Sequence, residues 1–201
     1  MKTLLKNIRT LVTCDDQDRV LHNVDLLLDG PSICAIGHIQ EPADNVIDCR
    51  HMFVYPGLVN THHHLYQYFT RNLPEVQGLE LFDWLTALYE IWKNLNEETI
   101  RCSSLAGMGE LMKYGCTTCF DHHYVFPKGA GDLIGAQFAA AEQLGIRMHA
   151  SRGSMSLSRK DGGLPPDSVV QDVDAILSDS ARLIETYHDA SAFSMRQMVL
   201  A

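Results

Sequence analysis

The chain has 201 residues, 46% of them hydrophobic, enough to bury a sizeable core and unlike a disordered composition. Its formal net charge of −9 comes from 25 acidic against 16 basic residues, and no basic run could track a phosphate backbone, so nucleic acid is not an expected partner. No stretch approaches the roughly 20 apolar residues of a membrane helix, and Met1 to Asn7 lacks the apolar core of a signal peptide; no membrane partner is expected, and the expected location is cytoplasmic.

From Thr3 to about Val54, short apolar segments alternate with turn chemistry: Leu4 to Val12, Val24 to Leu28, Ile33 to Ile36 and Val46-Ile47. Asp29-Gly30 between two such runs predicts a hairpin. Residues 1–54 therefore read as a small β domain. After Tyr55, strand-like and helix-like segments alternate, the signature of βα units on a parallel sheet. The spacing predicts a strand from Phe53 to Asn60 and then a long connection, Leu65 to Leu95, of the kind usually found as a functional loop or lid. A helix capped by Asn96 runs to Tyr114. The second strand, Cys116 to Phe120, leads into Asp121-His122-His123-Tyr124, and a second helix spans about Ala130 to Leu144. A third strand, Ile146 to Ala150, precedes a Gly, Ser and Pro-rich loop from Ser151 to Pro166. A third helix, capped by Asp167, extends to about His188, and Met195 to Leu200 begins a fourth strand. The fold class is thus α/β, with residues 55–201 supplying the first three to four βα units of a (β/α)8 barrel, cut in strand 4. A closed barrel needs eight units and about 250 residues.

The six cysteines, Cys14, Cys34, Cys49, Cys102, Cys116 and Cys119, lack the spacing of a disulfide framework and are expected to be reduced and mostly in the core. Cys116-x-x-Cys119 lies in an expected strand, where i and i+3 face opposite ways, which favours a structural role over a metal or redox one.

The sharpest signal is Pro56-Gly57-Leu58-Val59-Asn60-Thr61-His62-His63-His64-Leu65-Tyr66-Gln67. Two histidines at i and i+2 on a strand end point to one side, so His62 and His64 can converge on one metal ion while His63 points away. Imidazole is a common zinc ligand, and zinc with an open position lowers the pKa of bound water to about 7. Trp84, with Tyr66 and Phe82, could close over a planar ring by stacking, or form the core of the connection. His122 and His123 follow the second strand on the face where barrel active sites gather. Each is a candidate substrate contact, with packing against Asp121 as the alternative. Arg152 flanks the third strand on the same face and is a further candidate; His149, inside that strand, reads as a core residue.

The His-x-His pair after Pro-Gly-hydrophobic-hydrophobic-Asn resembles the amidohydrolase superfamily. Upstream, Val24 to Gly30, Ile33 to Gly37 and Val46 to Cys49 resemble the small β-sandwich that precedes the barrel there. Asn60 to Gln67, Phe82-Asp83-Trp84-Leu85, Asp121 to Tyr124 and Arg152 to Ser156 are most similar to the branch containing 8-oxoguanine deaminases, guanine deaminases and hydroxyatrazine-type triazine hydrolases. The resemblance implies a metal-dependent deaminase, one Zn2+ per complete subunit held by His62 and His64, with a heterocyclic small molecule and water as substrates. It also implies that the Gln67 amide contacts the ring. Relatives of this kind often form homo-oligomers. In the family the remaining ligands follow the fifth and eighth strands, and the proton-moving Glu and His follow the fifth and sixth; none of these strands lies within the 201 residues. The catalytic acid and base are therefore expected beyond Ala201, and the chain alone is expected to be inactive. Two alternatives stand beside this reading: a triazine aminohydrolase with the same machinery, and a non-catalytic truncated product that at most binds metal or pairs with a complementary fragment. The cytidine-deaminase type is disfavoured, because no Glu follows in a His-x-Glu and Gly115 rather than Pro precedes Cys116. Met195 to Ala201 contains no Lys for a bridged binuclear site.

Overall fold

The computed structural model describes residues Met1–Ala201, which divide into two compact units, Met1–Gly57 and Leu58–Ala201. No helix is long and apolar enough to cross a membrane.

The first unit is one five-stranded mixed sheet. Strands β1 (Lys2–Val12), β2 (Val20–Asp29), β3 (Ser32–Gly37) and β4 (Asn45–Asp48) stand in the order β3-β2-β1-β4, and β5 (Phe53–Val54) also pairs with β1. The β2–β3 hairpin turns at Gly30, whose φ of 54° suits a residue without a Cβ. Ile8, Leu11, Leu26 and Cys49 form its core. A bulge between Leu5 and Ile8 turns the Asn7 N–H toward Asp25 Oδ1 at 2.8 Å, and the Ile39 N–H donates to Oδ2 at 3.0 Å. Burial disfavours the Asp25 carboxylate, but these two amide donors outweigh it and hold its pKa below the usual value.

In the second unit, β6 (Leu58–His63), β7 (Cys116–His123), β8 (Arg147–Arg152) and β9 (Arg196–Leu200) form a parallel sheet in sequence order. Helices α2 (Glu97–Lys113), α3 (Leu133–Leu144) and α4 (Val173–Tyr187) make the crossovers. Each helix starts where a side chain satisfies its first amides. Asn96 and Thr99 form a reciprocal capping box on α2, while Asp132 caps α3 and Asp172 caps α4. Gly145, with φ of 73°, ends α3. The core joins Ile100 and Met108 of α2 and Ile134 and Phe138 of α3 to Cys119, Met148, Ala150 and Met198 on the strands.

Four expectations are corrected. The strand expected from Phe53 to Asn60 is two strands: Pro56-Gly57 breaks it, so Phe53–Val54 pairs with β1 while β6 pairs with β7. The segment Leu65 to Leu95 is not an open loop. It holds two short 3-10 turns, Leu65–Thr70 and Pro74–Val76, and α1 (Leu81–Trp92), which bury Leu65, Tyr66, Leu88, Tyr89 and Trp92. Asp167 starts only a single 3-10 turn, and Asp172, not Asp167, caps α4. Of the six cysteines, Cys49, Cys116 and Cys119 are buried while Cys14 and Cys34 are exposed. Burial pushes the Cys119 thiol up to about 12, which suppresses the reactive thiolate.

Candidate metal and substrate site

Strand β6 ends in the histidine segment, with a register shift between Asn60 and His63 where it runs beside β7. His62 Nε2 and His64 Nε2 lie 3.2 Å apart. Two nitrogens each 2.0–2.1 Å from one tetrahedral ion stand about 3.3 Å apart, so the pair fits a single ion as it is placed. His64 Nδ1 is 2.8 Å from the His122 carbonyl, which only accepts, so Nδ1 carries the proton and the Nε2 lone pair is left to bind. Burial lowers the His64 pKa, with the carbonyl contact opposing it, and favours the neutral ring that ligation requires. The His62 ring stacks on His122 at 4.3 Å between centroids. His63 is half-buried and its Nδ1 has no partner; a Cβ placed on Gly107 of α2 would stand 3.8 Å from its ring, and, against the expectation that it points away, this histidine also borders the cavity beside the pair.

Beside the pair lies a cavity of about 450 Å³, within the range of small-molecule sites, lined by His62, His64, Gln67, Tyr68, Trp84 and Glu110 among others. Gln67 donates from Nε2 to the Tyr66 hydroxyl at 3.2 Å, which leaves its Oε1 to accept. Tyr66 is buried, edge-on to Trp92, His123 and Tyr124, and therefore a rigid anchor for that amide. Trp84 is partly buried and packs edge-on against Trp92 at 5.6 Å, with its remaining surface on the cavity. Phe82 is 66% exposed and does not line it.

Alternation along β7 separates the two adjacent histidines. Cys119, Asp121 and His123 are buried, while Phe120 and His122 lie half-buried on the other face, with the His62 ring. The substrate-contact expectation for His123 is thus corrected. Its Nε2 donates to the Val125 carbonyl at 2.9 Å, Phe126 packs against its ring, and burial pushes its pKa down to about 3 against that hydrogen bond. Arg152 is corrected likewise. It pairs with His123 in register and is 2% exposed. Its guanidinium donates to Asp179 Oδ2, the Gly153 carbonyl and Gln171 Oε1 at 3.1, 2.6 and 2.7 Å and lies 4.0 Å from the Phe126 ring. Its donors are engaged inside the protein, away from the cavity. His149 is half-buried across from Phe120.

Sequence reasoning missed Asp121 and Gln137 as parts of this site. Asp121 is fully buried and accepts the Leu65 N–H on Oδ1 and the Gln137 amide on Oδ2, each at 2.6 Å. Burial pushes its carboxyl up to about 7, with those two donors pulling the other way. The available signal was a single glutamine between Ile134, Phe138 and Ala141 on the buried stripe of α3.

The model of the amidohydrolase family matches residues 53–197, most of the chain and all of the histidine segment. The chain belongs to the amidohydrolase family. Amidohydrolases are typically metal-dependent, and this member's paired imidazoles are suited to such an ion. It is 38% identical over 213 residues to hydroxydechloroatrazine ethylaminohydrolase of Pseudomonas sp. (strain ADP), matching 99% of this chain and 44% of that protein. It is 44% identical over 176 residues to 8-oxoguanine deaminase of Pseudomonas aeruginosa, matching 86% of this chain and 39% of that protein. The solved structure of atrazine chlorohydrolase from Arthrobacter aurescens TC1 complexed with zinc superposes with a TM-score of 0.90 at 34% identity, over 98% of this chain and 46% of that one. This amidohydrolase chain therefore spans less than half the length of the relatives it matches. No group of three or more His, Cys, Asp or Glu side chains is placed to hold a metal ion within it, and His62 and His64 stand as a pair.

Proposed function

We propose that this chain carries the first metal-ligand pair and part of the substrate pocket of a zinc-dependent hydrolytic deaminase that converts an amino-bearing carbon of an 8-oxoguanine-like ring, with water, to a carbonyl and ammonia. The 3.2 Å approach of His62 Nε2 and His64 Nε2 at a strand end, beside the cavity that Gln67 and Trp84 line, carries the reading. The 44% identity to an 8-oxoguanine deaminase favours the purine. His62 and His64 would hold the ion, which when bound supplies Lewis acidity and a water of lowered pKa. The His122 carbonyl keeps the His64 lone pair directed at it. Gln67, its Nε2 committed to Tyr66, offers Oε1 to a ring N–H, and Trp84 offers an aromatic surface to the ring. His122, stacked on His62 and on the same face, is retained as a substrate contact.

The test is ammonia release from 8-oxoguanine by the zinc-loaded complete protein that contains these residues. Activity that falls at least a hundredfold in His64→Ala, and for which Gln67→Leu raises KM, supports the reading; turnover unaffected by His64→Ala sinks it. The second reading, a triazine aminohydrolase, is favoured by the 38% identity that extends over 99% of the chain. Hydroxyatrazine assayed in parallel separates the two by kcat/KM. A third reading, a product that at most binds metal, follows if the protein retains zinc and turns over neither ring.

A further inference from the structure

Strand β7 grips His64 from two directions. The His122 carbonyl takes the Nδ1 proton of its ring. Asp121 Oδ1, one residue earlier, takes the N–H of Leu65, the peptide that leaves His64. At this point the chain turns out of strand: His64 has φ −133° and ψ 80°, and the 3-10 turn it opens has no side-chain cap of its own. The Leu65 amide is buried and needs an acceptor, and the one it has lies 56 residues away. Asp121 is in turn fixed by the Gln137 amide, and both side chains are fully buried. Sealing an ionisable carboxyl and an amide behind the sheet carries a desolvation cost that an apolar pair would avoid. An apolar pair, however, would leave the peptide after His64 free to rotate.

We infer that Asp121, held by Gln137, is a positioning residue for His64: it fixes the backbone on the C-terminal side of the imidazole and thereby the direction of the Nε2 lone pair. This rests on the reading of His62 and His64 as metal ligands. Groups that orient a metal ligand change affinity by about 10- to 100-fold when removed. The conservative variant is chemically well defined. In Asp121→Asn, the amide oxygen can still accept the Leu65 N–H, and Gln137, whose Oε1 has no partner, can turn that atom toward the new NH2.

The experiment uses the 201-residue chain and Co2+ as probe, followed by its absorption spectrum and by competition with a chromophoric chelator; His64→Ala is the control. Asp121→Leu is expected to weaken Co2+ binding at least 10-fold and to speed Leu65 amide exchange, while Asp121→Asn stays within about 3-fold of the parent. Should Asp121→Leu not fold, Gln137→Met, which removes only the group that holds the carboxyl, is measured instead and is expected to weaken binding in the same direction. Unchanged affinity and unchanged spectrum in a folded Asp121→Leu or Gln137→Met chain overturn the inference. A parent chain that takes up no Co2+ counts against the ligand reading. The inference is then decided in the metal-free chain by the 15N signals of His64: loss of the Nδ1–H tautomer in Asp121→Leu, with its retention in Asp121→Asn, supports it, and retention in both overturns it.

Discussion

His123 and Arg152, partners in register across β7 and β8, are both buried, one as a neutral ring and the other as a charge. The His123 ring is held neutral in the core, its pKa near 3 against an ordinary 6.5. A base whose folded pKa is depressed contributes stability that is complete above pH 6.5 and is lost as pH falls toward 3, because the unfolded chain takes up the proton first. Between pH 7 and pH 5 this one ring should cost the fold about 2 kcal/mol. Urea midpoints at the two pH values should therefore shift less in His123→Leu than in the parent; an equal shift would show that the ring titrates freely. Arg152 is anchored by three acceptors and an aromatic face. Arg152→Met keeps most of its bulk but leaves Gln171 Oε1 and the Gly153 carbonyl without their donor and Asp179 to Arg182 alone, a loss expected to be about 1–3 kcal/mol in the same denaturation assay. Metal uptake through His62 and His64 should survive this change, since no atom of Arg152 reaches them.

At the scale of elements, the seam between α2 and the turn after β6 is set by Gly107. A Cβ there would come within 2.8 Å of Leu65 Cδ2, and Leu65 is fully buried, so its side chain must shift to make room. Alanine gains about 1 kcal/mol over glycine in helix propensity, but overpacking a filled core costs about 1–3 kcal/mol. The clash should win. Gly107→Ala is expected to lower the stability of the chain and, by pushing Leu65, to weaken Co2+ binding; a stabilised variant with unchanged affinity would show that the turn tolerates displacement. The same turn explains why Leu65 to Leu95 is ordered: Trp92 Nε1 donates to Thr70 Oγ1 at 3.2 Å, tying α1 to the turn that follows the histidines.

At the scale of the whole molecule, the two units have separate cores, one in the mixed sheet around Ile8 and Leu26, the other between the parallel sheet and its helices. Both candidate ligands belong to the second unit. A ligand that binds only the folded form stabilises it by RT ln(1 + [L]/Kd), about 2.7 kcal/mol at a hundredfold excess over Kd. Zinc should therefore slow amide exchange in β6, β7 and α2, leave β1 and β2 unchanged, and be reversed by a chelator. Protection that rises equally in both units would contradict a site confined to the second.

Much of this was legible in the sequence because it depends on neighbours along the chain. Period-two alternation put His62 and His64 on one side of a strand end, Asn96 announced α2, and the alternation of strand and helix announced the βα units. Other features were decided only by tertiary contacts. Phe53–Val54 and Leu58–His63 read as one strand locally, and their separation follows from partners far away, Thr10 and Leu11 for one and Cys116 onward for the other. Alternation requires that His122 and His123 face opposite ways, but it cannot say which is buried; packing of Tyr66 and Phe126 against His123 decides that. The acceptor for the Leu65 amide and the donor for Asp121 come from segments 56 and 16 residues away. Propensity and periodicity are properties of adjacent residues, whereas the partner of a buried polar atom is whichever group the fold brings within about 3 Å of it.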